Sequence, residues 1–480
     1  MLAAVFESLT WGGDGRNVSS LPAWVVPLVF AVSVFARLLV ASHPHSGEND
    51  PPRFGDYEAQ RHWMEITIHT PLREWYVGTT HNDLGYWGLD YPPLTAYQSW
   101  VYGKVLHRID PAIVSLTTSR GHESYGSKLL MRYTVIVSDI AFLLPALLVF
   151  HRTFTNKLAG KLSAGGTGAK SGERTDLAIS KKFSAKTQKL SIAYAFTAAA
   201  LSPAQMLIDH GHFQYNGISL GLSVYAAAAV ISDWDVIGSI LFTLALNHKQ
   251  TAAYLSPAFF AFLLGKSLRN NSTSYTKVAA VLRLGIAVVG TFAVLWAPFY
   301  FAIDPETGTA DGVRGVKTVF QRLVPFKRGL YEDYVSNVWC FTNPFFKWKT
   351  WLSIETATRL ALLCTVTAIA PAVAHQIKKP SNEGFVWCLV NCGFGFFLWS
   401  FQVHEKVRIS HLPNPASLFA HTRRAKGRLT SALTVQTDYG DCCPYIVPYI
   451  AIYNTDTFLT KRKVRVVFHN PRRVARFRGA

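Results

Sequence analysis

Charge is what this chain has least of: Asp, Glu, Lys and Arg make up 16% of 480 residues, while 49% are apolar. Soluble domains cover themselves with considerably more charge, so a string of compact soluble modules is excluded. Cysteine is scarce too, and Cys340, Cys364, Cys388, Cys392, Cys442 and Cys443 fall at no spacing that suits a zinc site or a disulfide framework. Four histidines draw attention, His210, His212, His248 and His404, yet no pair has a ligand spacing on one helix with a partnering acid. No metal is expected. No repeat of fixed period is present either.

Acids are outnumbered, 29 against 48 Lys and Arg, for a net charge of +19. Such an excess suits a nucleic-acid partner until its placement is considered. Residues 152–189 hold nine Lys or Arg against Glu173 and Asp176, among many Gly, Ser, Thr and Ala. That is a flexible cytosolic loop under the positive-inside rule, and no nucleic acid is expected.

What fills the rest is apolar runs of roughly 20 residues, the length that crosses a hydrocarbon core of about 30 Å. The expected fold class is an all-α polytopic membrane protein. Nine spans are read, at about Leu21–Ala41, Met131–Phe150, Leu190–Ile208, Gly217–Ile231, Val236–Leu246, Thr251–Leu264, Val278–Ala302, Ala357–Ala374 and Gly384–Gln402. The first is too long for a cleaved signal, so residues 1–20 are taken as a cytosolic N-terminus. The fourth and fifth are short, which is tolerated where protein rather than lipid surrounds them. With loop 152–189 in the cytosol, loops 42–130 and 303–353 fall on the opposite, lumenal side. The same parity puts the sequons at Asn17, Asn270 and Asn271 in the cytosol, where they would stay unmodified.

The polar clusters collect on the lumenal side. Loop 42–130 carries Gly55-Asp56-Tyr57-Glu58-Ala59-Gln60-Arg61-His62-Trp63-Met64-Glu65 and, further on, Trp87-Gly88-Leu89-Asp90-Tyr91-Pro92-Pro93. Asp56 precedes a run of helix formers and reads as an N-cap carboxylate, a role compatible with acting as a base. Trp63 and Ile66 share a face of that helix, which is expected to lie along the membrane surface. Asp90 reads as a second cap before a proline-started helix. Lys249, Lys327, Arg328 and Lys406 are cations on a side that the positive-inside rule leaves poor in them, which points to an anionic ligand.

These stretches, with His210-Gly211-His212-Phe213-Gln214-Tyr215-Asn216, Asn247-His248-Lys249-Gln250, Val324-Pro325-Phe326-Lys327-Arg328-Gly329-Leu330 and Val403-His404-Glu405-Lys406, resemble the endoplasmic-reticulum glucosyltransferases that use dolichyl phosphate glucose, membrane glycosyltransferases of the GT-C type. The first lumenal loop is worded most like the members that add the first, α-1,3-linked glucose. The resemblance spans about residues 22–406. It implies an all-α GT-C fold with a large first lumenal loop and an endoplasmic-reticulum location with a lumenal site. Asp56 would be the general base. It implies substrate contacts from Glu58, Arg61, Asp90, Tyr91, His210, His212, Gln214, Asn216, His248, Lys249, Arg328, His404, Glu405 and Lys406. His404, Lys406, His248 and Arg328 would stand nearest the donor phosphate. The implied partners are dolichyl phosphate glucose, a dolichyl-pyrophosphate-linked oligosaccharide and the bilayer, with no cofactor beyond the lipid-linked donor.

The family pattern continues past His-Glu-Lys with further spans, whereas residues 407–480 contain no apolar run of spanning length. They hold thirteen Lys or Arg against Asp438, Asp441 and Asp456. The abrupt change after Lys406 is read as a retained intron or gene-model error, and an inactive truncated product is one alternative this leaves open. The others are the sister enzyme adding the second glucose and a transporter or flippase, which would place ionisable groups at mid-span rather than at lumenal ends.

Overall fold

The computed structural model describes residues 24–164, 189–270, 273–304, 308–323 and 337–401. Among these every regular element is helical, apart from one isolated bridge between Ile303 and Ala310. The expectations on Lys327, Arg328, His404, Glu405, Lys406 and the 407–480 tail lie outside the described residues.

Helix α1 is Val25–Ala41, α2 is Gly55–His69 and α3 is Pro93–Ile109. Helices α4 (Tyr125–Ser138) and α5 (Leu144–Ala164) run into one another through a π-turn at Asp139–Leu143. The helical stretch α6 is Lys189–Phe213. Then follow α7 (Asn216–Ile231), α8 (Asp235–His248), α9 (Ser256–Asn270), α10 (Ser274–Tyr300), α11 (Val313–Leu323), α12 (Val338–Phe346), α13 (Ile354–Lys378) and α14 (Asn382–Trp399).

Among the described residues, four helices are long and apolar enough to cross a membrane: Tyr125–Gly160, Lys189–Phe213, Ser274–Tyr300 and Ile354–Lys378. In α10 no residue of the apolar window is buried, and Ile286 and Val294 are 72% and 74% exposed. Exposing such side chains to water would cost roughly 1.5–3 kcal/mol each, a cost that lipid removes. The chain is an all-α, multi-pass membrane protein.

The centre is the hairpin of α7 and α8. Every residue of α7 except Tyr225 is buried, and its Gly, Ser and Ala content lets backbones approach closely. A Cβ at Gly221 would sit 2.6 Å from the carbonyl carbon of Phe142, so α7 packs directly on the π-turn. Gly238 similarly admits Val230 across the hairpin. Behind it, Phe259 and Phe262 of α9 meet Phe385 of α14, the latter pair stacked at 4.6 Å.

Several expectations are corrected. The third run does not end at Ile208, because Leu207–Phe213 continues it as a π-helical turn. The sixth starts late, since Gln250–Leu255 is 3-10 helix and α9 begins only at Ser256. Asp56 is not the N-cap of α2. That position belongs to Phe54, whose left-handed backbone (φ 54°) turns the chain into the helix and leaves Asp56 in its first turn. Nor does Asp90 cap α3, where Pro92 is the N-cap. Finally, α2 does not lie in the membrane interface with Trp63 outward. Tyr57 through Thr67 are all buried, and Trp63 and Ile66 pack with Trp75, Tyr76, Leu89 and Phe299.

Candidate active site

The corner before α2 is built by two glycines. Gly55 (φ 68°) and Gly47 (φ 81°) touch backbone to backbone, and a Cβ on Gly55 would lie 2.1 Å from the Ser46 carbonyl oxygen. This contact sets where Asp56 emerges. The Asp56 side chain is 20% exposed, and His212 Nε2 stands 3.0 Å from its Oδ2, with the His212 side chain 27% exposed. Gln214 donates from Nε2 to the same oxygen at 2.5 Å.

Behind Gln214 the contacts form a chain. Lys249 Nζ donates to Gln214 Oε1 at 2.7 Å and to Asn216 Oδ1 at 2.5 Å. It also stands over the Tyr91 ring at 5.0 Å. Asn216 in turn donates from Nδ2 to Asp209 Oδ1 at 2.6 Å. Each amide therefore faces an ammonium with its oxygen and a carboxylate with its nitrogen, which fixes both orientations chemically. Lys249 can reach inward because it follows α8 in extended backbone.

Tyr91 and Asp90 are held by their main chain. Tyr76 Oη donates to the Tyr91 carbonyl at 2.7 Å, and Gln250 Nε2 donates to that of Asp90 at 3.2 Å. Arg322 of α11 braces the preceding turn through the carbonyls of Gly88 and Leu89. His248 is buried and its Nε2 meets Gln98 Oε1 at 3.0 Å.

The structure thus brings Asp56, His212, Gln214, Asn216, Lys249 and Tyr91 together. It does not bring Glu58, Arg61 and His210 to them. Glu58 and Arg61 are fully buried in a bidentate pair (both contacts 2.6 Å), joined by Glu65 at 2.8 Å and by Ser119 and Tyr86. Burial pushes the Glu65 carboxyl up, but the His62 hydrogen bond and the Arg61 guanidinium outweigh it and bring it down to about 2. His210 Nε2 instead meets Asp139 Oδ2 at 3.0 Å, and Arg37 Nε donates to that same oxygen at 2.6 Å.

Arg37, Asp139 and Asp209 are not singled out by the sequence reading. A signal existed: each is an ionisable residue inside or at the edge of an apolar run. Among the described residues no group of three or more His, Cys, Asp or Glu is arranged to hold a metal ion.

Fold and site together define a membrane-embedded helical protein presenting a partly exposed carboxylate, braced by amides and an ammonium, beside a buried polar core. The chain matches the ALG6, ALG8 glycosyltransferase family over residues 33–440 and belongs to it. It is 45% identical over 382 residues to a probable dolichyl pyrophosphate Man9GlcNAc2 alpha-1,3-glucosyltransferase of Arabidopsis thaliana, covering 78% of this chain and 63% of that protein. The probable enzyme of the same name from Dictyostelium discoideum is 41% identical, covering 81% and 68%. The Saccharomyces cerevisiae enzyme is 36% identical, covering 82% and 65%. The chain thus spans about two thirds of the length of these relatives.

Proposed function

We propose that the protein transfers the first glucose from dolichyl phosphate glucose to a dolichyl-pyrophosphate-linked high-mannose oligosaccharide, in α-1,3 linkage, at the lumenal face of the endoplasmic-reticulum membrane. The observation that carries this reading is the Asp56 carboxylate, partly exposed and hydrogen-bonded through Gln214 in a chain of this family. A hydroxyl is a weak nucleophile, and a carboxylate within reach takes its proton as attack proceeds. The acceptor oxygen bonds to the glucosyl anomeric carbon, the bond from that carbon to phosphate breaks, and the proton passes to Asp56. One displacement on a β-linked donor inverts the centre and yields the α product. The departing phosphate is already anionic and calls for cations. His248, Arg328, His404 and Lys406 are the groups proposed near it, and Tyr91, His212, Gln214, Asn216 and Lys249 the groups proposed to line the substrate.

The nine-span arrangement belongs to the same proposal. Besides the four long apolar helices, Val25–Ala41, Asn216–Ile231 and Asp235–His248 are apolar but shorter. The family assignment and the names of the relatives favour the first-glucose reaction over transport.

Replacing Asp56 with Ala or Asn is expected to lower glucosyl transfer from donor to acceptor lipid by at least about 100-fold. Turnover within a few-fold of the parent in the purified, folded variant would remove Asp56 as the base.

A further inference from the structure

The chain of contacts behind Asp56 ends on an acid with no part in that chemistry. Asp209 is fully buried in the last turns of α6. Its Oδ1 accepts from Asn216 Nδ2, and its Oδ2 accepts from Gln205 Nε2 and from the Gly217 backbone N–H, both at 2.9 Å. Acceptors and donors alternate along the line: the accepting Asp209 carboxyl, the Asn216 amide, the donating Lys249 ammonium, the Gln214 amide and the accepting Asp56 carboxyl. An amide between an acceptor and a donor has one low-energy orientation, because reversing it sets N–H against N–H and oxygen against oxygen. Gln214 therefore offers its N–H to Asp56 only while Lys249 holds its oxygen. Lys249 in turn is oriented by Asn216, whose own polarity is set by Asp209.

We propose that Asp209 is a positioning residue, acting through Asn216, Lys249 and Gln214 to set the orientation of the Asp56 carboxylate. This rests on the glucosyltransferase reading only for its effect on rate. In a purely structural role, Asp209 would merely secure the start of α7 by accepting the Gly217 N–H. The two roles separate by which oxygen is lost. Asp209→Asn keeps size and still offers an oxygen to Gly217, but it sets an N–H donor against the Asn216 N–H in place of the accepting oxygen.

The test uses the full chain, purified in detergent, with two readouts. Carboxyl labelling by carbodiimide and an amine, read by mass spectrometry, compares Asp56 with the exposed Asp83 and the buried Glu65 as references. In Asp209→Asn, Asp56 labelling is expected to rise several-fold while Asp83 and Glu65 stay unchanged. Glucosyl transfer is expected to lose about 10- to 100-fold in kcat with KM little altered, the scale of a misplaced catalytic group. The exchange variant Asp209→Asn with Asn216→Asp sets a carboxylate directly against Lys249 and is expected to return Asp56 labelling to near the parent's level. Unchanged Asp56 labelling in Asp209→Asn would overturn the proposal, as would a parallel rise at Glu65, which marks general loosening. So would failure of the exchange variant to recover. A parent protein without transfer activity would instead count against the glucosyltransferase reading, leaving labelling to decide the role of Asp209.

Discussion

At the scale of single residues, two positions carry predictions that do not depend on the reaction. Gly55 has a positive φ and a carbonyl oxygen where a side chain would begin. Gly55→Ala is expected to destabilise the protein by more than the roughly 1–2 kcal/mol of a left-handed alanine, since the Ser46 contact must also open. A thermal-unfolding midpoint in detergent checks it. Arg61 sits between two buried carboxylates, Glu58 and Glu65. Arg61→Leu leaves both without their guanidinium and is expected to cost about 3–5 kcal/mol. The same cluster gives a pH dependence. Glu65 is held below its ordinary value, so its contribution is fully present above about 4.5 and fades as pH falls toward about 2. Acid titration of the unfolding midpoint is expected to show that loss in the parent and a shallower one in Glu65→Gln. The sequence announces Asp56 and Lys249 as a carboxylate and a cation, yet its reading assigns Glu58 and Arg61 to substrate. Three- and four-residue spacing on one helix allows Glu58, Arg61 and Glu65 either to face a ligand or to close on each other. Only the neighbouring Ser119 and Ile113 carbonyl, more than fifty residues away in the chain, decide for closure.

At the scale of elements, hydrophobic runs mark where the helices lie but not where they end. The third run reads as finishing at Ile208 because Asp209, His210 and His212 are polar. In the folded protein their side chains meet protein groups, Asp209 with Asn216 and His210 with Asp139, so the helix continues where a lipid-facing one would stop. Helix α2 departs from its sequence reading for a related reason. Its composition is that of an interfacial helix, but the segments packed around it come from positions far along the chain, including Phe299 and Val319. The α7–α8 hairpin makes an element-scale prediction. Gly221→Leu drives a side chain into the Phe142 backbone and is expected to separate α7 from the π-turn, seen as loss of the monodisperse peak on size exclusion.

For the whole molecule, the proposed orientation rests on placing the basic stretch 152–189 in the cytosol and on counting spans, and a single substitution tests it. Ser115→Asn creates an Asn-Leu-Thr sequon with Leu116 and Thr117, within loop 42–130. Glycosylation there, shown by a glycosidase-sensitive mass shift, with Asn270 unmodified, is the expected result. A folded variant left unglycosylated at position 115 would reverse the assignment of sides. The order of charged and apolar stretches made the membrane class legible, because lipid imposes length and polarity on each run separately, while the family was carried by the wording of the motifs. The pairing of Asp56 with Gln214 was beyond it, since the two lie 158 positions apart and only packing brings them together.

The enclosure of α7 reaches further than stability. Sixteen residues of helix rise only about 24 Å, less than a typical bilayer core, and a lipid-facing helix of that length would have to thin the membrane around it. Sheathed by other helices, α7 meets no acyl chains along all but one of its residues. Changes in bilayer thickness bear on α10 and on the exposed flank of α13, and they leave the helix that begins at Asn216 unloaded. The site's rear wall is thereby insulated from the lipid composition of whichever membrane the protein occupies.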